Sequence, residues 1–223
     1  MITMSKMPAF YRSLMLMTAV TLAGCAGTQP VPYSNLQASS RMQPNTGDDA
    51  YRVPYRYTTN PNWQQYHQAI LEPVAVYSGA DNQFGKMDAG DQQELATYMQ
   101  QQFGDRLKQR FSMVNTPAPG TLRIKLTLTG ADTTTPVAGT FTKFDLAGGP
   151  YNIVQSIRGR EGMMNGWVSY ATEIYDAQTN QLLAAWVEKQ YPNAMNVSAS
   201  IGSLSAAKVG VEKGADDLID RLK

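Results

Sequence analysis

The clearest periodic signal in the chain lies at Leu122, Ile124, Leu126 and Leu128, which alternate with Arg123, Lys125, Thr127 and Thr129. Period two means a strand with one buried and one wet face. Upstream the period lengthens. Leu95, Met99, Phe103, Leu107 and Phe111 recur every four residues, with Tyr98 alongside. Gln93, Gln100, Gln101 and Lys108 lie opposite, so the spacing predicts an amphipathic helix whose stripe is core rather than a cofactor pocket. Asp88 suits its N-cap and Asp91 its first turn, where carboxylates meet free N–H groups. Ahead of it, Ile70, Val74 and Val76 predict a first strand, which Pro73 confines to an edge or a bulge. The resulting strand–helix–strand start would set its two strands parallel.

After the break at Pro117-Ala118-Pro119-Gly120, the next regular pieces are 166–175 and 182–190. They read as two strands of a β-hairpin joined at residues 176–181, with Trp167, Ile174, Leu183 and Trp186 feeding the core. In the tail, Leu204, Ala207, Val211, Ala215, Leu218 and Leu222 share one helical face. Gly210 and Gly214 in that helix form a GxxxG spacing, read here as close approach to a sheet rather than pairing in lipid. Residues 131–162 are rich in Thr, Gly and Pro, with Phe141, Phe144 and Leu146 isolated and a short helix expected near 153–157. Such a long loop is a natural place for specificity. Tyr51, Tyr55 and Tyr57 alternate with Arg52 and Arg56, which suits either a sugar- or peptide-binding ledge or an extended segment on the domain edge. The fold expected is α+β: a mostly antiparallel sheet of about four to five strands with two main helices on one face. It would occupy residues 51–223 as one domain.

The start of the chain has a different pattern. Lys6 and Arg12 precede a short apolar run, 13–21, that ends at Leu22-Ala23-Gly24-Cys25. A positive segment, a short apolar segment and small residues at a cut site make a secretory signal. The run is roughly half the ~20 apolar residues that a spanning helix needs. Cys25 is the only cysteine. The tetrad Leu22, Ala23, Gly24, Cys25 resembles the lipobox of bacterial lipoproteins. That resemblance implies cleavage before Cys25, diacylglycerol on its sulfur and an acyl chain on the new amino group. Residues 1–24 are then a signal peptide, and the lipid on Cys25 holds the protein to a membrane. Ala26, where a retained inner-membrane lipoprotein would resemble the aspartate pattern, favours the outer membrane, facing the periplasm. Residues 25–50 are rich in Pro, Ser, Gln and Asn, and are expected to be a flexible tether.

Charge and chemistry narrow the function. Losing Lys6 and Arg12 with the leader takes the formal charge from +1 to about −1, too little for a nucleic-acid partner. With Cys25 acylated, no disulfide can form. His67 is the only histidine and has no nucleophile motif near it; no cysteine or histidine cluster suits a metal. Neither a cofactor nor a catalytic constellation is expected. The basic pair Arg123 and Lys125 sits on the wet strand face, where it would be solvated or meet an acidic partner. One enzymatic alternative survives. Glu173, Asp176 and Glu188 on the hairpin would cleave glycosidic bonds if two carboxyls stood about 5–9 Å apart.

Three segments carry a wider resemblance: 70–77, the run 117–123 before the leucine-alternating strand, and the hairpin from Trp167 to Ala185. In this order behind a lipobox they resemble a bacterial lipoprotein family called domain of unknown function 3313, over residues 63–191. The turn at Gln178-Thr179-Asn180-Gln181 departs from the Thr-Gly-Glu of that family. The family implies an envelope protein without an assigned reaction and lends no catalytic residues. The expected role is therefore a non-enzymatic binding or scaffolding module whose partner is an envelope protein or peptidoglycan.

Overall fold

A computed structural model describes residues 28–133, 148–162, 166–196 and 202–223. The expected signal peptide 1–24, the lipobox-like tetrad from Leu22 to Cys25, and the isolated anchors Phe141, Phe144 and Leu146 lie outside the described residues.

The leucine-alternating segment forms the long strand β6 (Thr121–Asp132), and it organises the sheet. On one side it pairs antiparallel with β7 (Trp167–Asp176), which pairs antiparallel with β8 (Leu182–Gln190). β8 continues to β2 (Tyr55–Thr58) and then β1 (Gln43–Pro44), both antiparallel. On its other side β6 pairs parallel with β3 (Gln68–Leu71) and β4 (Ala75–Val76), and β3 pairs parallel with β5 (Ser112–Met113). Pro73 separates β3 from β4. The helix between them and β6 is α1 (Ala89–Leu107), so the strand–helix–strand start is parallel. Two further helices are α2 (Gly148–Ile157) and α3 (Ser205–Arg221).

The expected sheet of four or five mostly antiparallel strands with two helices is thus corrected. Among the described residues the sheet has eight strands, is mixed and open, and there are three α-helices. The missed strands are short. β1 and β5 span two residues each, too few to show any period in sequence, and β4 is the two-residue remainder of the expected first strand beyond Pro73. The Tyr51–Tyr57 segment supplies β2 along the edge of β8, with Arg56 opposite Trp186.

Helices α1 and α3 cover one face. Leu95, Met99, Phe103 and Leu107 pack with Leu122, Ile124, Leu126 and Leu128, and with Val211, Ala215 and Leu218. The Asp88 carboxylate accepts the Asp91 N–H at 2.9 Å and caps α1 as its sequence predicts. The opposite face is covered by a strap, residues 28–42. Tyr33, Leu36, Ala38 and Met42 are buried against Tyr77, Ala171, Tyr175, Ala185 and Val187. The expected tether is therefore corrected over residues 28–50. Four scattered apolar side chains in a polar stretch look like a disordered composition, yet each one finds a place on the sheet.

Candidate functional site

The strands place the three hairpin carboxylates apart. Residues at odd separation on a strand face opposite ways. Glu173 lies on the strap face, where its carboxylate accepts the Ala38 N–H at 2.8 Å and the Tyr175 hydroxyl at 3.1 Å. Lys125 Nζ stands 3.2 Å from it. Glu188 lies on the helix face and accepts the Trp186 Nε1–H at 2.9 Å. Asp176 is engaged in the turn, accepting N–H groups of Gln178 and Thr179 and the Tyr66 hydroxyl. Two of the three are buried on opposite sides of one sheet, so no cleft receives them together.

The other sequence candidates are also accounted for. Arg123 pairs with Glu72 and lies 4.4 Å over the Tyr175 ring, so neither it nor Lys125 is left as a free cation. His67 is exposed and holds Gly120 through its backbone N–H. No group of three or more His, Cys, Asp or Glu suited to a metal occurs among the described residues. No helix among them is long and apolar enough to cross a membrane.

What sequence reasoning missed is the polar end of β8. Glu188, Lys189 and Gln190 are all buried, the first and last on the helix face and Lys189 on the strap face. On the helix face, Gln190 accepts from Arg52 and donates to Asp217 at 2.7 Å. Arg221 reaches back to Asp49 at 2.9 Å, which ties the last helix to the segment before β2. On the strap face, the Lys189 ammonium donates to Glu161 at 2.6 Å and to the Thr28 carbonyl at 3.0 Å, and lies 4.4 Å over the Trp167 ring. This one cation clamps Thr28, at the head of the strap, to the end of the sheet. Beside it opens a cleft of about 510 Å³, lined by Thr28, Gln83, Lys86, Asp91, Asp132 and Trp167 among others. Three consecutive polar residues at a strand end carry no sequence signal of burial, because their partners lie far off in the chain.

Burial raises the Glu188 carboxyl above its ordinary 4.5, against the opposing effects of the Trp186 and Tyr170 donors and of Arg221. The folded chain therefore keeps this proton to higher pH than the unfolded chain. Stability is lost as pH rises from 4.5 through the raised value. Glu188→Gln removes that ionisation. In urea unfolding, the stability of the variant relative to the parent is expected to climb across this window and then level off. Parallel stability curves would show that the carboxyl titrates normally.

A family model described as "Protein of unknown function (DUF3313)" matches residues 32–218. The chain belongs to this DUF3313 family. The match is wider than residues 63–191. It begins within the strap and ends in α3, so the DUF3313 domain includes residues 32–50 of the segment whose composition suggested a tether. No curated protein matches the sequence. Among solved structures, the PelC dodecamer from Paraburkholderia phytofirmans is similar at 11% identity and a TM-score of 0.37, covering 71% of this chain and 92% of that one. The hypothetical protein CT253 from Chlamydia trachomatis is similar at 8% identity and a TM-score of 0.33, covering 70% of this DUF3313 chain and 95% of that one.

Proposed function

We propose that this protein is a lipoprotein of the bacterial envelope, cut before Cys25, acylated on it, and held in the outer membrane facing the periplasm. Its role is non-enzymatic: it binds or scaffolds an envelope protein or peptidoglycan. The observation that carries the reading is the tetrad Leu22-Ala23-Gly24-Cys25, closing a short apolar run behind Lys6 and Arg12 in a chain with no other cysteine. Acyl burial contributes about 0.8 kcal/mol per methylene, so one chain holds only marginally while two or three hold durably. The separation of Glu173 from Glu188 across the sheet supports binding over glycosidic cleavage.

Cys25→Ser tests it. The parent chain is expected to take up labelled palmitate and to sediment with outer membranes, while the variant takes up no label and leaves that fraction. A parent that stays unlabelled, or is recovered in the cytosol with residues 1–24 intact, overturns the proposal. Crosslinking in intact cells is expected to join the labelled chain to an envelope protein or to wall fragments.

A further inference from the structure

Helix α2 is built inside out. Its polar residues Asn152 and Ser156, one turn apart, face the protein: Asn152 is fully buried, and the Ser156 hydroxyl donates to the Asn193 side chain at 2.8 Å. Its apolar residues face outward. Ile153, Val154 and Ile157 follow the i, i+1, i+4 spacing of one face, and they are 50%, 44% and 82% exposed. Tyr151 stands beside them. Five large hydrophobic side chains are exposed among the described residues: these four and Val31. The helix carries no charge over its ten residues, and exposed Arg158 and Arg160 follow it directly.

The position of this face says what it meets. Glu161, four residues beyond Ile157, shares the Lys189 ammonium with the Thr28 carbonyl. Arg52 ties Gly159 to the same end of β8, through a 3.0 Å bond to its carbonyl. Only Ala26 and Gly27 separate Thr28 from Cys25. Three Cα steps span at most about 11 Å. A cysteine held at a bilayer surface therefore brings Thr28, Val31 and the end of α2 down to that surface with it.

We propose that α2 lies in the headgroup layer of the bilayer that anchors Cys25, with Ile153, Val154 and Ile157 in the acyl boundary and Arg158 and Arg160 at the lipid phosphates. The inference rests on the lipoprotein reading. An interfacial helix buries its apolar face about 5–10 Å deep, within the reach allowed by the short link. Tyr151 is of the type enriched at such interfaces. The domain is thereby held at the membrane in one orientation, with the hairpin turn at residues 176–181 pointing away.

The full chain, processed and acylated by its host, serves as the test. Cys25 is the only native cysteine, so Ile157→Cys and Gln178→Cys each provide a single free thiol for an environment-sensitive fluorophore. Both positions are exposed, so neither replacement disturbs the core. The proteins are reconstituted into phosphatidylethanolamine–phosphatidylglycerol vesicles containing lipids spin-labelled in the acyl chain. The label at 157 is expected to shift to the blue and to be quenched several-fold more than the label at 178. Equal quenching at the two sites overturns the proposal. Shielding of 157 in detergent that grows with protein concentration also overturns it, because the face then meets a second copy. Mass analysis of the N-terminal peptide separates the two failures. Acylated Cys25 with an unquenched label at 157 sinks the helix placement alone; unacylated Cys25 sinks the lipoprotein reading as well.

Discussion

Tyr33→Ala is expected to lower the unfolding free energy by about 3–5 kcal/mol, the range for emptying a fully buried aromatic site. Tyr33 is 0% exposed although it lies in a stretch made mostly of Gln, Pro, Ser and Asn. Its ring packs 5.2 Å from that of Tyr77, and its hydroxyl donates to Gln83 at 3.0 Å. Its removal opens a cavity on the strap face and leaves the Gln83 side chain short of a donor. The strap is also bonded where it crosses the sheet. Ser34 N–H reaches Asp81 at 2.9 Å, and Ala38 N–H reaches the buried Glu173. Loss of the ring is therefore expected to loosen these contacts with it, and to expose residues 28–42 to protease before the rest of the chain. Urea unfolding and limited proteolysis measure both effects. A loss under about 1 kcal/mol would return the segment to the status of a tether, since exposed positions seldom cost more.

The strap also shows where sequence reasoning runs out. The regular elements were legible because each carries many copies of one period: the leucines of β6, the four-residue stripe of α1, the apolar face of α3. Two helices do lie on one sheet face. The strands flanking Pro73, β3 and β4, are parallel to β6, as the strand–helix–strand order predicts. The strap has no period. Tyr33, Leu36 and Met42 are spaced irregularly, and composition averages them away, whereas the sheet reads them one at a time. β7 and β8 were legible as strands but not as doubly buried ones, because Ser169, Glu173, Glu188 and Lys189 look like a wet face. Their partners include Ala38, Glu161 and Thr28, and no local pattern joins residues so distant in sequence. The separation of Glu173 and Glu188 followed from strand parity once the register was known. The outward face of α2 was hidden for a related reason. Ile153, Val154 and Ile157 resemble core residues in a one-dimensional reading, and only the side chains turned inward, Asn152 and Ser156, reveal the inversion.

Gly210→Ala and Gly214→Ala are expected to destabilise the fold by net amounts of about 2 kcal/mol, for overpacking of up to ~3 kcal/mol outweighs the roughly 1 kcal/mol that alanine returns to a helix. The two glycines let α3 approach the sheet, but they meet different atoms. A Cβ on residue 210 would stand 2.8 Å from the Gln190 carbonyl oxygen, which is backbone and cannot turn aside. A Cβ on residue 214 would stand 1.7 Å from the Tyr170 hydroxyl oxygen. That ring is fully buried and stacks edge-on against Phe103 with centroids 5.5 Å apart, so it has little room to swing. The difference predicts a selective rescue. Tyr170→Phe deletes the clashing oxygen and is expected to return at least about 1 kcal/mol to Gly214→Ala, a coupling of the size seen between residues in contact. The same change is expected to return nothing to Gly210→Ala, whose obstacle is unaltered. Equal behaviour of the two alanine variants in the Tyr170→Phe background would mean that α3 shifts as a rigid rod away from β7 and β8. The glycine spacing would then reflect helix packing in general rather than two separate points of contact with the sheet.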